Sequence, residues 1–174
     1  LSHMGELYIT GPGAAAALDH ALIQAPGKLA VGRAHYSMIC ADDGGVIDDL
    51  IVYRLGDERF LAVPNASNAE AVASALRTRL KGFDARLDDA SMRTSLVAIQ
   101  GPRAAEILQP LVDVDLKTIK YYSGTQTRAC GVPALLARTG YTGEDGFELF
   151  VAWDDAVAVW DALRSTGVMP FGVE

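Results

Sequence analysis

Asp42 to Arg54 reads DDGGVIDDLIVYR, and how this stretch folds decides the class of the whole chain. An Asp-Gly-Gly signal opens it, and glycines supply the positive φ values that a tight reversal between antiparallel strands needs. The apolar run that follows carries two adjacent carboxylates. Side chains alternate across a strand, so Asp48 shares a face with Val46, Leu50 and Val52, and Asp49 with Ile47, Ile51 and Tyr53. The unbroken Leu50-Ile51-Val52 suggests a strand covered on both sides. A carboxylate at the mouth of such a strand is paired, hydrogen-bonded or shifted in pKa. On residue types alone, loop capping or an ion pair with Arg54 outweighs a catalytic role.

Working outward, Gly32–Ala41 reads as a strand containing His35, Tyr36 and Met38, paired across the Asp42–Gly45 turn with Val46–Leu55. Gly56-Asp57-Glu58 turns into Phe60–Val63, completing a meander of three antiparallel strands. Upstream, Glu6–Thr10 alternates as a short strand, and Gly11-Pro12 opens a helix whose stripe is Ala14, Leu18, Ala21 and Leu22. Residues 11–16, GPGAAA, satisfy a dinucleotide fingerprint in form, but no acid lies between Asp19 and Asp42, so that reading is rejected. Downstream, Pro64-Asn65 breaks the sheet, Ser67–Glu70 reads as a capping box, and Ala69, Val72, Ala73, Leu76 and Leu80 form a buried helix face. Phe83–Leu87 reads as a further strand.

The second half repeats the plan. YITGPGAAAAL at 8–18 and AIQGPRAAEIL at 98–108 are the same strand, Gly-Pro and helix, 90 residues apart. After Leu96–Gln100 and a helix with Ile107, Leu108 and Leu111 come strand candidates at Gln126–Cys130, Ala134–Arg138 and Phe147–Trp153. The Asp154–Leu163 helix follows, its inner face marked by Ala156, Val159, Trp160 and Leu163. The fold class is therefore α+β, with mostly antiparallel sheets, flanking helices and two similar halves, 1–90 and 91–174. Duplication would imply a pseudo-two-fold with a cleft; chance reuse of a common unit is the alternative.

Composition sets bounds. At 174 residues, 50% hydrophobic and 21% charged, the chain is globular and long enough for a real core. A net charge of −7 without any Lys/Arg run excludes a nucleic-acid surface. No apolar run reaches the roughly 18 residues of a membrane span, and the start lacks a signal-peptide pattern. Cys40 and Cys130 are distant in sequence and read as buried, reduced thiols of a cytoplasmic protein. His3, His20 and His35 form no ligand cluster, so no metal is expected.

YTGEDGFE at 141–148 is the other informative stretch. Gly143, Glu144, Asp145 and Gly146 suit a hairpin turn. Glu148 is different, because it stands at the start of an apolar strand, where a carboxylate is costly. A buried carboxylate can accept two parallel hydrogen bonds from an amidine-like edge. Tyr121 and Tyr122 form a doublet in a polar setting. Asn65 is either a helix cap or a side-chain amide offered to a ligand.

GGVIDDLIVYR, GELYITGPG and TGYTGEDGFELF, in that order, resemble the aminomethyltransferase (T-protein) family of the glycine cleavage system, across essentially the whole chain. The resemblance implies transfer of an aminomethyl-derived one-carbon unit from the lipoyl arm of an H-protein to tetrahydrofolate, with release of ammonia. It implies Asp49 as the catalytic carboxylate and Asp48 as structural. It implies Glu148 on the pterin edge, Tyr141 packed on the pterin, and Tyr121, Tyr36 and Asn65 lining the folate slot. No metal, nucleic acid or membrane enters that scheme. Members of the family continue past Phe171-Gly172-Val173 into an arginine-bearing helix and a further domain, so the chain reads as an inactive internal fragment, with Leu1–Met4 native. The alternatives are the folate domain of a dimethylglycine or sarcosine oxidase or demethylase, and a non-catalytic folate-binding iron–sulfur assembly factor. The latter's Lys-Gly-Cys signature is missing here.

Overall fold

Alternating apolar strands and glycine turns produce two antiparallel sheets, each carrying helices on one face. The computed structural model describes residues 3–171; Leu1, Ser2 and Gly172–Glu174 lie outside the described residues. The chain divides into two compact units, Met4–Ser91 and a second comprising Leu1–His3 with Met92–Glu174.

In the first unit the order is β1 (Leu7–Thr10), α1 (Ala14–Ala21), β2 (Ala34–Cys40), β3 (Val46–Gly56), β4 (Arg59–Pro64), α2 (Ala69–Arg79) and β5 (Arg86–Asp89). The sheet runs β2-β3-β4-β1-β5, antiparallel throughout. Leu50 and Val52 join Leu7, Ile9, Leu18, Phe60, Val72 and Leu76 in the core between sheet and helices. Ile51 and Tyr53 point to the opposite face and are buried as well, so β3 is covered on both sides as its composition requires.

The second unit repeats this as β6 (Thr94–Gln100), α3 (Ala104–Leu108), β7 (Gly124–Ala129), β8 (Val132–Ala137), β9 (Gly146–Ala152) and α4 (Ala156–Arg164), in the order β6-β9-β8-β7. Its core gathers Val97, Ile99, Leu108, Phe147, Leu149, Val159 and Leu163. The repeat reaches single side chains. Arg54 donates from Nη1 to the carbonyls of Gly27 and Leu29, and Arg138 donates from Nη1 to the carbonyl of Ile119. Each guanidinium lies over a phenylalanine ring, Phe60 or Phe147. Gly11 and Gly101, both with positive φ, donate their N–H to Glu58 and Asp145 respectively.

Several local expectations are corrected. Ser67–Glu70 does not form a capping box: Ala66–Asn68 is a 3₁₀ turn, α2 starts at Ala69, and its N-cap is Asn68, whose side chain accepts from no helix N–H. The Asn68 side chain is turned to the buried Asp48 carboxylate, to which its Nδ2 donates. Asn65 is likewise no side-chain cap. The strand placed at Phe83–Leu87 begins at Arg86, because Phe83 turns in to pack on the core and Asp84 contacts α1's N-terminus. The helix after Gly101 is a single short turn that gives way to a 3₁₀ turn at Gln109–Leu111, where Pro110 supplies no N–H. The strand placed at Gln126–Cys130 is β7, Gly124–Ala129, and the last helix starts at Ala156 after a 3₁₀ turn. Cys40 and Cys130 are free and half-buried, not buried; Cys130 stands at φ 52° in the β7–β8 turn.

The G-x-G at Gly11–Gly13 is explained by packing. A Cβ at Gly11 would stand 2.6 Å from the Asp84 carbonyl oxygen, and one at Gly13 2.8 Å from the Asp84 nitrogen. The glycines let the chain before β5 lie against the start of α1.

Candidate functional site

The first unit brings Asp48, Asp49, Asn65 and Tyr36 together at one end of its sheet. The alternation of β3 sends the two carboxylates to opposite faces. Asp48, 3% exposed, enters the core side and accepts from Asn65 N (2.9 Å), Asn65 Nδ2 (2.9 Å) and Asn68 Nδ2 (2.7 Å). Three charge-assisted bonds compensate its burial, so it is a structural acceptor. Asp49 is exposed on the other face. Its Oδ1 accepts from Asn65 Nδ2 at 3.0 Å, and the same amide reaches its carbonyl at 3.1 Å. Asn65 thus fixes the Asp49 side chain while leaving most of its carboxylate in solvent. Tyr36 pairs across the sheet with Ile51, two residues from Asp49 on that face, and is 43% exposed.

The second unit brings together Glu148, Tyr141, Tyr121 and a residue the sequence left aside, Tyr122. Glu148 is the third residue of β9 and 5% exposed, on the face opposite the core. Thr139 Oγ1 donates to its Oε2. Its cross-strand partners are Ala98 on β6 and Ala137 on β8. Ala98 is exposed and leaves room beside the carboxylate, whereas Ala137 is fully buried. A cavity of about 470 Å3 lies along the edge strand β6, with Glu148, Ala98, Gln100 and Tyr141 in its wall together with Ile99, Trp160 and Leu163 of the core side. That is a usual size for a small-molecule pocket.

The tyrosines surround this carboxylate. Burial, and then the Glu148 charge, push the Tyr141 hydroxyl above its ordinary pKa. Burial, Tyr121 and Glu148 do the same to Tyr122. Tyr121 and Tyr122 stack edge to face with centroids 4.8 Å apart, and Tyr121 Oη donates to the Gly140 carbonyl at 3.1 Å. Tyr122 holds φ 55°, where its counterpart in the first unit is Gly32 at φ 82°. The equivalence is set by the backbone: Gly32 N–H donates to the Arg54 carbonyl, and Tyr122 N–H to the Arg138 carbonyl. A non-glycine residue is rarely held in that region, and the strain marks Tyr122 for attention. No local pattern signals it, since φ is not written in a Tyr-Tyr doublet.

Arg138 joins the two segments that carry these rings. It donates to the Ile119 carbonyl just before the doublet, and forks onto Asp145 at 2.8 and 2.6 Å at the end of the Tyr141 loop. The same bonds hold the Asp145 carboxyl below its usual pKa. His3 Nε2 lies 3.1 Å from the Tyr141 hydroxyl.

An α+β fold made of two repeated antiparallel units, each with a placed carboxylate, has counterparts among known proteins. Residues 1–174 match the family model described as the GCVT N-terminal domain, and the chain belongs to that family. A protein of Saccharopolyspora erythraea named aminomethyltransferase is 53% identical over 167 residues, 96% of this chain and 46% of that protein. One of Thermus thermophilus with the same name is 51% identical over 173 residues, 99% of this chain and 50% of the relative. The crystal structure of glycine cleavage system aminomethyltransferase T from Bartonella henselae superposes with a TM-score of 0.85 at 33% identity, covering 93% of this chain and 43% of that one. A heterotetrameric sarcosine oxidase from Corynebacterium sp. U-96, at 21% identity and a TM-score of 0.73, shares the fold. The chain spans about half the length of the curated relatives it matches.

Proposed function

We propose that the protein to which this chain belongs is a tetrahydrofolate-dependent aminomethyltransferase of the glycine cleavage system, receiving its one-carbon unit from a lipoylated H-protein. The names of its relatives support the reaction class. The observation that carries the ligand is Glu148: a carboxylate 5% exposed, flanked by alanines, in the wall of a cavity that Tyr141 also lines. Such a group suits a planar edge offering two parallel N–H donors, which a reduced pterin has. Tetrahydrofolate supplies the nitrogens that take up the one-carbon unit.

The chain's own residues divide the work. Glu148 accepts the aminopyrimidine edge, with Thr139 holding one oxygen in place. Tyr141 packs on the ring face, and Tyr121 forms a second wall. In the first unit Asp49 is the catalytic carboxylate. Exposed and oriented by Asn65, it stays available to move a proton and to stabilise positive charge developing on the transferred carbon. Tyr36 and Asn65, on the same unit as Asp49, are assigned to ligand binding as well. The chain without the rest of the protein is inactive in turnover, and measurable ammonia release by it would refute that statement.

Tetrahydrofolate titration by calorimetry on the chain and on Glu148→Gln tests the reading. The variant keeps shape and loses a charged acceptor, so binding weakens by more than about 1 kcal/mol. Equal affinity for both forms removes Glu148 from the site. No binding by either, repeated with the protein extended past Glu174, refutes the folate reading.

A further inference from the structure

The loop between β8 and β9 carries Tyr141, yet its two ends are glycines that no turn demands. Gly140 and Gly146 both lack positive φ; only Gly143, at φ 88°, occupies the left-handed region. Gly146 is moreover the first residue of β9, not part of the turn. What the two share is a neighbour. A Cβ built on either would collide with the side-chain amide of Gln100. Gln100 ends β6 opposite Gly146, its Nε2 donates to the Glu144 carbonyl at 2.9 Å, and it lines the cavity in front of Glu148. The loop is therefore wrapped around one glutamine amide, which satisfies a main-chain acceptor that an open loop would leave to water.

We propose that Gln100 is a positioning residue of the ligand pocket: its amide is the template that holds Gly140–Gly146 against the end of β6 and so sets where Tyr141 stands relative to Glu148. The inference rests on the folate reading for the ligand, but its structural half does not. Tyr121 Oη on the Gly140 carbonyl and Arg138 on Asp145 pin the same loop from the other side. Gln100 is the contact made from the cavity itself. It also explains why glycine stands at both ends: the template occupies the space of two side chains.

The test is a double-mutant cycle with two readouts. Gly146→Ala sets a methyl against the amide, whereas Gly146→Ala with Gln100→Ala gives that methyl room. Amide hydrogen exchange at 141–145 reads the loop, and tetrahydrofolate titration reads the pocket. Gln100→Ala is expected to speed exchange there about tenfold and to weaken binding about fivefold, the loss of roughly one net hydrogen bond. Gln100→Met, which keeps the bulk and loses the donor, falls between. The double variant is expected to sit well above the product of the two single effects, because each change relieves the other. Strict additivity, or exchange at 141–145 unaltered in Gln100→Ala, overturns the inference. Loosened exchange with unaltered affinity reduces Gln100 to a structural residue and overturns its role in the pocket. If the unsubstituted protein, extended past Glu174, does not bind tetrahydrofolate, the folate reading is refuted along with the pocket role. The exchange data then still decide whether Gln100 shapes the loop.

Discussion

Asp48 and Asp49 are adjacent in sequence, and replacing each in turn gives the sharpest test of their division of labour. Asp48 accepts three hydrogen bonds from Asn65 and Asn68 at 2.7–2.9 Å while 3% exposed. Bonds to a charged acceptor are worth about 1.5–3 kcal/mol each when one partner is lost and the other stays buried. Asp48→Ala takes the acceptor from the Asn65 backbone N–H and from the Asn68 amide, while Asn65 Nδ2 keeps its bonds to Asp49, and it also removes the cost of burying the carboxylate. The net expectation is a loss of about 3 kcal/mol. Asp48→Asn keeps one acceptor and turns an NH2 group toward the donors, for a loss of about 2 kcal/mol. Asp49→Asn, exposed and bonded once through its side chain, costs under about 1 kcal/mol and leaves the fold intact. Urea unfolding followed by far-UV circular dichroism is the suitable assay. Trp153 and Trp160 are the only tryptophans and both lie in the second unit, so their fluorescence reports on that unit beside the dichroism signal. At about 2 kcal/mol per molar of urea, Asp48→Ala moves the midpoint by roughly 1.5 M. A shift no larger than that of Asp49→Asn would refute the assignment of Asp48 as the structural acid.

Other consequences are read the same way. Glu6 is 1% exposed, its Oε1 has no hydrogen-bond partner among the described residues, and burial together with the Asp89 charge raises its pKa to about 8. The folded chain holds that proton while the unfolded chain releases it near pH 4.5, so stability falls as pH rises from about 4.5 through about 8, by up to roughly 5 kcal/mol. Glu6→Gln flattens that dependence, and parallel pH–stability curves for both forms would sink the claim. Gly11→Ala forces a methyl to 2.6 Å from the Asp84 carbonyl at φ 120°, at a cost above about 2 kcal/mol. Gly44→Ala, at φ 88° in open space, costs only about 1 kcal/mol, and thermal melts of the two variants compare them directly. Ala98→Leu adds bulk at an exposed position beside Glu148, so stability stays within about 0.5 kcal/mol while tetrahydrofolate titration loses its signal. Retained binding there would move the ligand away from Glu148.

Much of the fold was legible because its signals are local. Glycine turns at Gly44-Gly45 and Gly56 delimit β3, and strand alternation alone puts Asp48 and Asp49 on opposite faces. What stayed hidden depends on contacts between distant residues. Ser67–Glu70 matched a capping pattern, but Asp48, the acceptor that orients the Asn68 side chain, lies 20 residues away in sequence. Gly146 looked like a turn glycine because the reason for it, Gln100, is distant in sequence. Of the site, Glu148 and Asp49 stood out as acids in apolar strands. Thr139, Arg138 and Gln100 did not, since each acts by holding another group and carries no unusual local pattern.

The repeat gives an internal comparison for the same site. The two units keep the strand order, the positive-φ glycine after the first strand, and an arginine that donates to a 3₁₀ turn and covers a phenylalanine. Where backbones agree this closely, side chains that differ report a difference in demand. The position of Glu148 on β9 is Leu61 on β4, by the common register to the first strand of each unit. Its neighbours Ala98 and Ala137 correspond to Tyr8 and Tyr53. In the first unit that patch is a bulky leucine between two tyrosines, which is what packing alone selects. In the second it is a carboxylate between two alanines, which packing opposes and a polar ligand rewards. Tyr122 follows the same logic: the backbone asks for the glycine found at Gly32, and the second unit accepts the strain to place a ring near Glu148. Glu148 and Ala98 stand in the wall of one cavity, and Tyr122 lies near enough to feel the Glu148 charge; these departures from one scaffold, more than any one residue, argue that the second unit was shaped around a bound molecule.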